Sequence, residues 1–269
     1  LDNFGKNIIL VRAGGRTQQG AVADYVPLTK EDAAAIRKHV GPLLVGVSES
    51  QFTLRVAASR SGHWPTVIVG TTPDIQHIRG WKVAQGRFFT AEDVRNQTPV
   101  CLIGQTVRRK LFPDPRDNPV GQTIRVDRLQ LRIIGIVGEK GRVLTGADQD
   151  DQIFVPITTL QEKIAHNRNV SVIVTAARDP VYLELAEQRI REILRQTRHI
   201  RPGMEDNFEV TSVQEMAQHK GDSPAPYRYF PLGKGKTDRH MEPFFIEIDP
   251  GQDVGGTGDG SELVEQGGE

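Results

Sequence analysis

An α+β fold of the split ferredoxin-like, porter-like kind is predicted by three features of this sequence. Residues 1–70 and 168–217 each carry a strand–helix–strand pattern, and two β-α-β halves sharing one sheet make that arrangement. Residues 71–167 have strands and helices of their own and read as a smaller inserted α/β lobe. Residues 218–269 hold ten of the 27 glycines and no helical period. They read as an unrelated, largely irregular and disordered tail.

In the first half, Asn7-Ile8-Ile9-Leu10-Val11-Arg12 is a strand stopped by Gly14-Gly15. Thr29 with Asp32 three residues on is a capping-box pattern, and Ala33, Ile36 and Val40 share one face of the helix it starts. Gly41-Pro42 ends that helix at about His39. The β-branched runs Gln51–Ala58 and Thr66–Val69 are strands, separated by the turn-rich Ser59–Pro65.

The inserted stretch opens with Gly86-Arg87-Phe88-Phe89-Thr90, where Thr90 suits an N-cap and Glu92-Asp93 suit the first turn behind it. Val100–Ile103 is a buried strand, and Gln105–Leu111 is a helix stopped by Phe112-Pro113. Thr123–Val126 and Leu129–Val137 form a hairpin turning at Asp127-Arg128. A long polar loop, Gly138–Asp151, leads to the strand Gln152–Pro156 and a helix over Thr158–Ile164. The second half follows with a strand, Asn169–Ala176, a helix, Val181–Arg198, and a strand, Phe208–Val213. On that helix Leu183, Ala186, Ile190, Ile193 and Leu194 face the core, whereas Glu187, Arg191, Glu192 and Arg195 face water.

Composition excludes several functions. Formal net charge is +0, although residues 1–218 carry 29 Lys+Arg against 24 Asp+Glu and the remainder reverses the excess. With 6% aromatic residues there is neither the field nor the stacking surface for nucleic acid. Arg108-Arg109-Lys110 reads as the solvated C-terminal end of its helix. The lone Cys101 lies in an apolar run and reads as a small hydrophobe. The seven histidines show no ligand spacing, so no metal is called. Asp148, Asp150 and Asp151 lack the spacing of a calcium loop and read as a solvated turn. Gly135, Gly138 and Gly141 precede no helix that could hold phosphate. No nucleophile elbow or Walker motif is present, so no catalytic residue and no cofactor are assigned. The abrupt start at Leu1 and the lack of a run of about 20 apolar residues suit a water-soluble fragment cut from a longer chain.

Six phrases then stand in order: Val69-Gly70-Thr71-Thr72-Pro73-Asp74, Gly86–Asp93, Gly104-Gln105-Thr106, Leu111-Phe112-Pro113, Pro119–Arg125 and Asp150–Pro156. With Gly5–Ile9 and Val210–Val213, they resemble the periplasmic core domain of MacB-type, FtsX-like ABC transporter permeases over residues 1–217. The resemblance implies a non-enzymatic domain on the periplasmic side of the inner membrane, between the first two membrane helices. It implies an ATP-binding subunit or domain that drives the transporter, a permease dimer in the full-length protein, and a periplasmic adaptor (membrane-fusion) protein as partners. Export or lipoprotein release is the coupled work. Phe88 and Phe89 read as core or inter-lobe packing, one of them exposed, and are the candidate adaptor or inter-lobe contacts. The membrane helix that the resemblance implies soon after Met216 is not in this sequence. From Tyr227 to Ile246 the tail is instead similar to the leading strands of cupin sensor domains, without their metal ligands.

The alternative is a soluble ligand-binding or sensing module formed with that tail. Limited proteolysis separates the two: the coupling domain predicts cleavage after about Gln218 and a resistant core of 1–217. A tail that resists together with the core supports the sensing module.

Overall fold

The computed structural model describes residues 7–14, 26–141 and 148–213; the expected tail lies outside them. Among the described residues ten strands join one mixed sheet, which divides into two differently built halves.

In the first half β1 (Ile8–Ala13), β2 (Leu44–Ala58), β9 (Val172–Ala177) and β10 (Phe208–Ser212) are ordered β10-β1-β9-β2 with every neighbour antiparallel. Helix α1 (Lys30–Val40) joins β1 to β2, and α6 (Leu183–Thr197) joins β9 to β10, completing the ferredoxin-like arrangement. Alternation along the strands gives each face its own core. Ile9, Val11 and Ile173 pack under Ile36, Val40, Ile190 and Leu194 of the two helices, while Ile8, Leu10, Val174 and Ala176 face the other way.

The capping box at Thr29 forms, with the Asp32 amide donating to Thr29 Oγ1 and the Thr29 amide to Asp32 Oδ2. Asp32 also meets Arg198, just past α6, in an ion pair of 3.1 Å whose side chains are 6% and 3% exposed. Arg198 donates further to the Pro27 carbonyl and to Asn207 Oδ1. One carboxylate therefore starts α1 and ties it to the end of α6.

The second half closes on itself. Beyond residue 50, β2 pairs with β3 (His63–Thr71), which runs parallel to β8 (Gln152–Pro156). Strand β8 pairs with β5 (Val100–Ile103), β5 with β7 (Leu129–Val137), and β7 with β6 (Thr123–Val126). Strand β6 returns to β2 through Val126↔Ala57 and Arg125↔Ala58, so six strands make a closed barrel with no free edge along that path. Its interior holds Ile68, Cys101, Ile103, Ile124, Ile133 and Ile153. Helices α4 (Gln105–Leu111) and α5 (Ile157–Leu160) add Val107, Leu111 and Leu160 to the same cluster. Strand β4 (Val83–Gly86) extends the sheet outside the ring along β7.

Several boundaries differ from the sequence reading. Strand β2 begins at Leu44, not Gln51; Gly46 and Glu49 weaken the strand signal of its first residues, L-V-G-V-S-E-S, which pair with β9. Strand β3 spans His63–Thr71, and β9 starts at Val172 rather than Asn169. The expected helix at Thr158–Ile164 is a short α-turn followed by a π-turn over Gln161–Ala165. Helix α1 runs one residue further, to Val40, and α6 is preceded by a 3₁₀ turn, Pro180–Tyr182. Helices α2 (Asp74–Ile78) and α3 (Ala91–Arg95) are each five residues long; α2 and β4 carry too little periodicity to be anticipated. Glu187 is buried rather than solvent-facing, because it lies one helical turn past Leu183 on the edge of the apolar stripe.

Two outcomes follow. Replacing Asp32 by Asn leaves Arg198 buried without its counter-charge and should cost about 3 kcal/mol in urea unfolding. Burial pushes the Cys101 thiol up, well out of the reactive range. It should be inert to a thiol reagent in the native protein and react with one equivalent after denaturation.

Candidate functional site at the junction of the two halves

Both halves depend on β2, whose partner changes between consecutive residues. Ser50 pairs with Val172 of β9, whereas Gln51 pairs with Gly70 of β3. The phrase Val69–Asp74 meets β2 at that point. Thr71 Oγ1 lies 2.9 Å from both Ser48 Oγ and Ser50 Oγ, and Thr72 Oγ1 donates to Ser48 Oγ at 2.8 Å. Ser48, Ser50 and Thr71 are fully enclosed. Buried hydroxyls survive only when partnered, and these partner one another. Asp74 Oδ2 accepts the Val47 amide at 3.3 Å, fixing the start of α2 against β2. Gly70 admits α5: a Cβ there would stand 2.7 Å from Leu160 Cβ.

Around this polar core lies the apolar cluster that joins the halves. It takes Ile8, Leu10, Val174 and Ala176 from one side, and Phe52, Val69, Leu102 and Phe154 from the other. Phe88 and Phe89 belong to it, 9% and 2% exposed, with ring centroids 4.4 Å apart. Neither is therefore open to a partner in this conformation. Gly86 delivers them by a tight turn: its φ is +77° and a Cβ would meet the Ile134 carbonyl oxygen at 2.2 Å.

Thr90 caps α3 through a second capping box with Asp93, and Arg87 donates to Asp93 Oδ2 at 3.0 Å. Burial works against the Asp93 charge, but the Thr90 amide and hydroxyl and the Arg87 guanidinium outweigh it and hold the carboxyl below its ordinary range.

The acid cluster is a structural fastening rather than a solvated turn. Asp150 is buried and accepts the Lys140 and Gly141 amides at 2.9 and 2.8 Å. Asp148 accepts from the Thr106 hydroxyl at 2.8 Å, and Asp151 from the Trp64 indole at 3.0 Å. Burial pushes the Asp151 carboxyl up, and the nearby Asp148 charge adds to the rise. Gly104 explains its own phrase: a Cβ would lie 2.2 Å from the Asp150 carbonyl oxygen, so the start of α4 passes directly against this loop. Among the described residues no group of three or more His, Cys, Asp or Glu could hold a metal ion. In those residues no helix is long and apolar enough to cross a membrane.

This geometry has a counterpart in a known family, whose description, MacB-like periplasmic core domain, matches residues 2–193. The chain belongs to that family. A macrolide export ATP-binding/permease protein MacB from Rhodospirillum rubrum is 31% identical over 219 residues, covering 81% of this chain and 32% of the relative. A pyoverdine export ATP-binding/permease protein PvdT from Pseudomonas syringae pv. syringae is 28% identical over 81% of this chain and 32% of the relative. The chain thus spans about a third of the length of these relatives. The fold is that of the periplasmic region of MacB from Actinobacillus actinomycetemcomitans, with TM-score 0.67 and 19% identity over 83% of this chain and 98% of that one. It is also similar to the extracellular domain of the transporter YknZ from Gram-positive bacteria, with TM-score 0.62 and 16% identity over 76% of this chain and all of that one.

Thr71→Val, which removes the hydroxyl between Ser48 and Ser50, should cost about 1–3 kcal/mol by urea unfolding, since it strands buried groups. Asp93→Asn should cost about 1 kcal/mol at neutral pH. Because the folded carboxyl titrates below the unfolded one, this stabilisation is complete above about pH 4 and is lost as pH falls through the folded value. The gap between D93N and the unmodified chain should close on acidification.

Proposed function

We propose that this domain is the periplasmic coupling element of an ABC exporter, transmitting work from a cytoplasmic ATP-binding subunit or domain to export or lipoprotein release without catalysing a reaction. The observation that supports this most directly is the single strand β2, hydrogen-bonded into both halves and locked at Ser48, Ser50 and Thr71. A displacement of one half is delivered to the other through a continuous sheet and a shared core, which resist deformation far better than a loop. The ends fit such a lever: Ile9 pairs with Ser212, so the described chain enters and leaves the first half side by side.

In this reading the first half is the porter-like lobe and the barrel is the inserted lobe. The boundary expected at residue 70 moves into β2, near Gln51. Phe88 and Phe89 serve as packing between the lobes, and the adaptor meets another surface. The permease dimer forms outside this domain, and the cargo is handled in contact with the membrane-fusion adaptor.

Excising residues 7–213 from the full-length permease tests this directly. ATP hydrolysis should persist while export and adaptor capture are lost; export that survives the excision overturns the reading. A saturable small-molecule melting shift that vanishes on removal of residues 219–269 would favour a ligand-binding module instead.

A further inference from the structure

An apolar ladder climbs out of the shared core onto the outside of the barrel. On β2, Phe52, Leu54 and Val56 point to one face, and their exposure rises along it from 7% to 37% to 50%. Each stands opposite an apolar residue of β3: Val69, Val67 and Pro65 in turn. Directly opposed residues share a face of the sheet, so these make one stripe rather than scattered positions. Its inner end, Phe52 with Val69, belongs to the cluster that joins the halves, and Val67 packs against that cluster. Its outer end opens into a groove of about 590 Å³ at the tip of the β2–β3 hairpin, whose lining includes Val56, Ala58, Arg60, His63, Arg125 and Asp127.

The charges around the groove are unbalanced. Arg60 is exposed, and its side chain meets no hydrogen-bond or ion-pair partner among the described residues. Arg125, also exposed, donates to the Asp127 backbone carbonyl and to no carboxylate. Asp127, the one acid in the lining, is already held by Arg55 at 3.0 Å. An apolar floor with polar groups at its rim is the make-up of a protein–protein contact. Guanidinium groups left over at such a rim select carboxylates.

We propose that this outer face of β2 and β3 is the docking surface for an extended segment of a partner protein, which sets aliphatic side chains on Leu54, Val56 and Pro65 and offers a carboxylate to Arg60 and Arg125. In the transporter reading, on which this inference rests, the segment belongs to the membrane-fusion adaptor. The described chain enters and leaves through β1 and β10, at the other end of the strand order from β3, so the face lies away from those connections. A segment seated on Leu54 and Val67 also lies beside the core packed between the two halves.

Photocrosslinking from p-benzoylphenylalanine placed at Val56 of the full-length permease, mixed with its purified adaptor, tests this, together with the adaptor affinity of two variants. The crosslink should form to the adaptor. Val56→Asp and Arg60→Glu should each weaken adaptor binding about tenfold or more, and Arg60→Glu should also flatten its dependence on salt. Crosslinks that form instead to residues 219–269 or to a second permease chain overturn the surface and leave the coupling reading intact. Adaptor affinity unchanged in both variants does the same. An adaptor that fails to bind the unmodified permease overturns both. Both replaced side chains are exposed, so an unchanged urea midpoint separates lost docking from a folding defect.

Discussion

The architecture rests on one fifteen-residue strand. Because β2 exchanges β9 for β3 between Ser50 and Gln51, the ferredoxin-like half and the barrel are not two bodies joined by a linker. They are one sheet that changes curvature. A side chain shared between two cores fixes their relative position only if both are packed. The cluster containing Ile8, Val174, Phe52 and Phe154 meets that condition from both sides. It also explains why the ferredoxin-like half needs its insertion: a four-stranded sheet with helices on one face leaves the other apolar, and here α2 and the barrel cover it.

The motifs that mark the family have structural work to do. Gly70 and Gly104 are places where another backbone or helix passes too close for a side chain, and Gly86 combines close approach with a left-handed φ. Thr71 is there for its hydroxyl and Asp150 for its two acceptor contacts. None is arranged around a reacting group.

Much of the fold was legible in the sequence because its local signals are strong. The Thr29–Asp32 capping box and the Thr90 N-cap form where the sequence puts them, and the hairpin turns at Asp127, whose φ is +54°. The apolar stripe of α6 follows its period. What stayed hidden depends on distant pairing. Leu44–Ser50 becomes strand only through β9, and barrel closure rests on two residue pairs far apart in sequence. The junction was readable as a phrase but not as a network, since Ser48, Ser50 and Thr71 look like ordinary loop hydroxyls until the sheet brings them together. Phe88 and Phe89 were visible as candidates, yet an aromatic pair after a glycine says nothing about which way it faces.

The two points where the chain passes between the halves lie next to each other. Ser50 is opposite Val172, and the Ser171 amide donates to the Ser50 carbonyl at 2.9 Å. Paired crossings of this kind place two covalent connections and a backbone hydrogen bond at one point of the sheet. A change at Ser50 or Val172 is therefore felt by both halves at once, because the two crossings share one pair of residues.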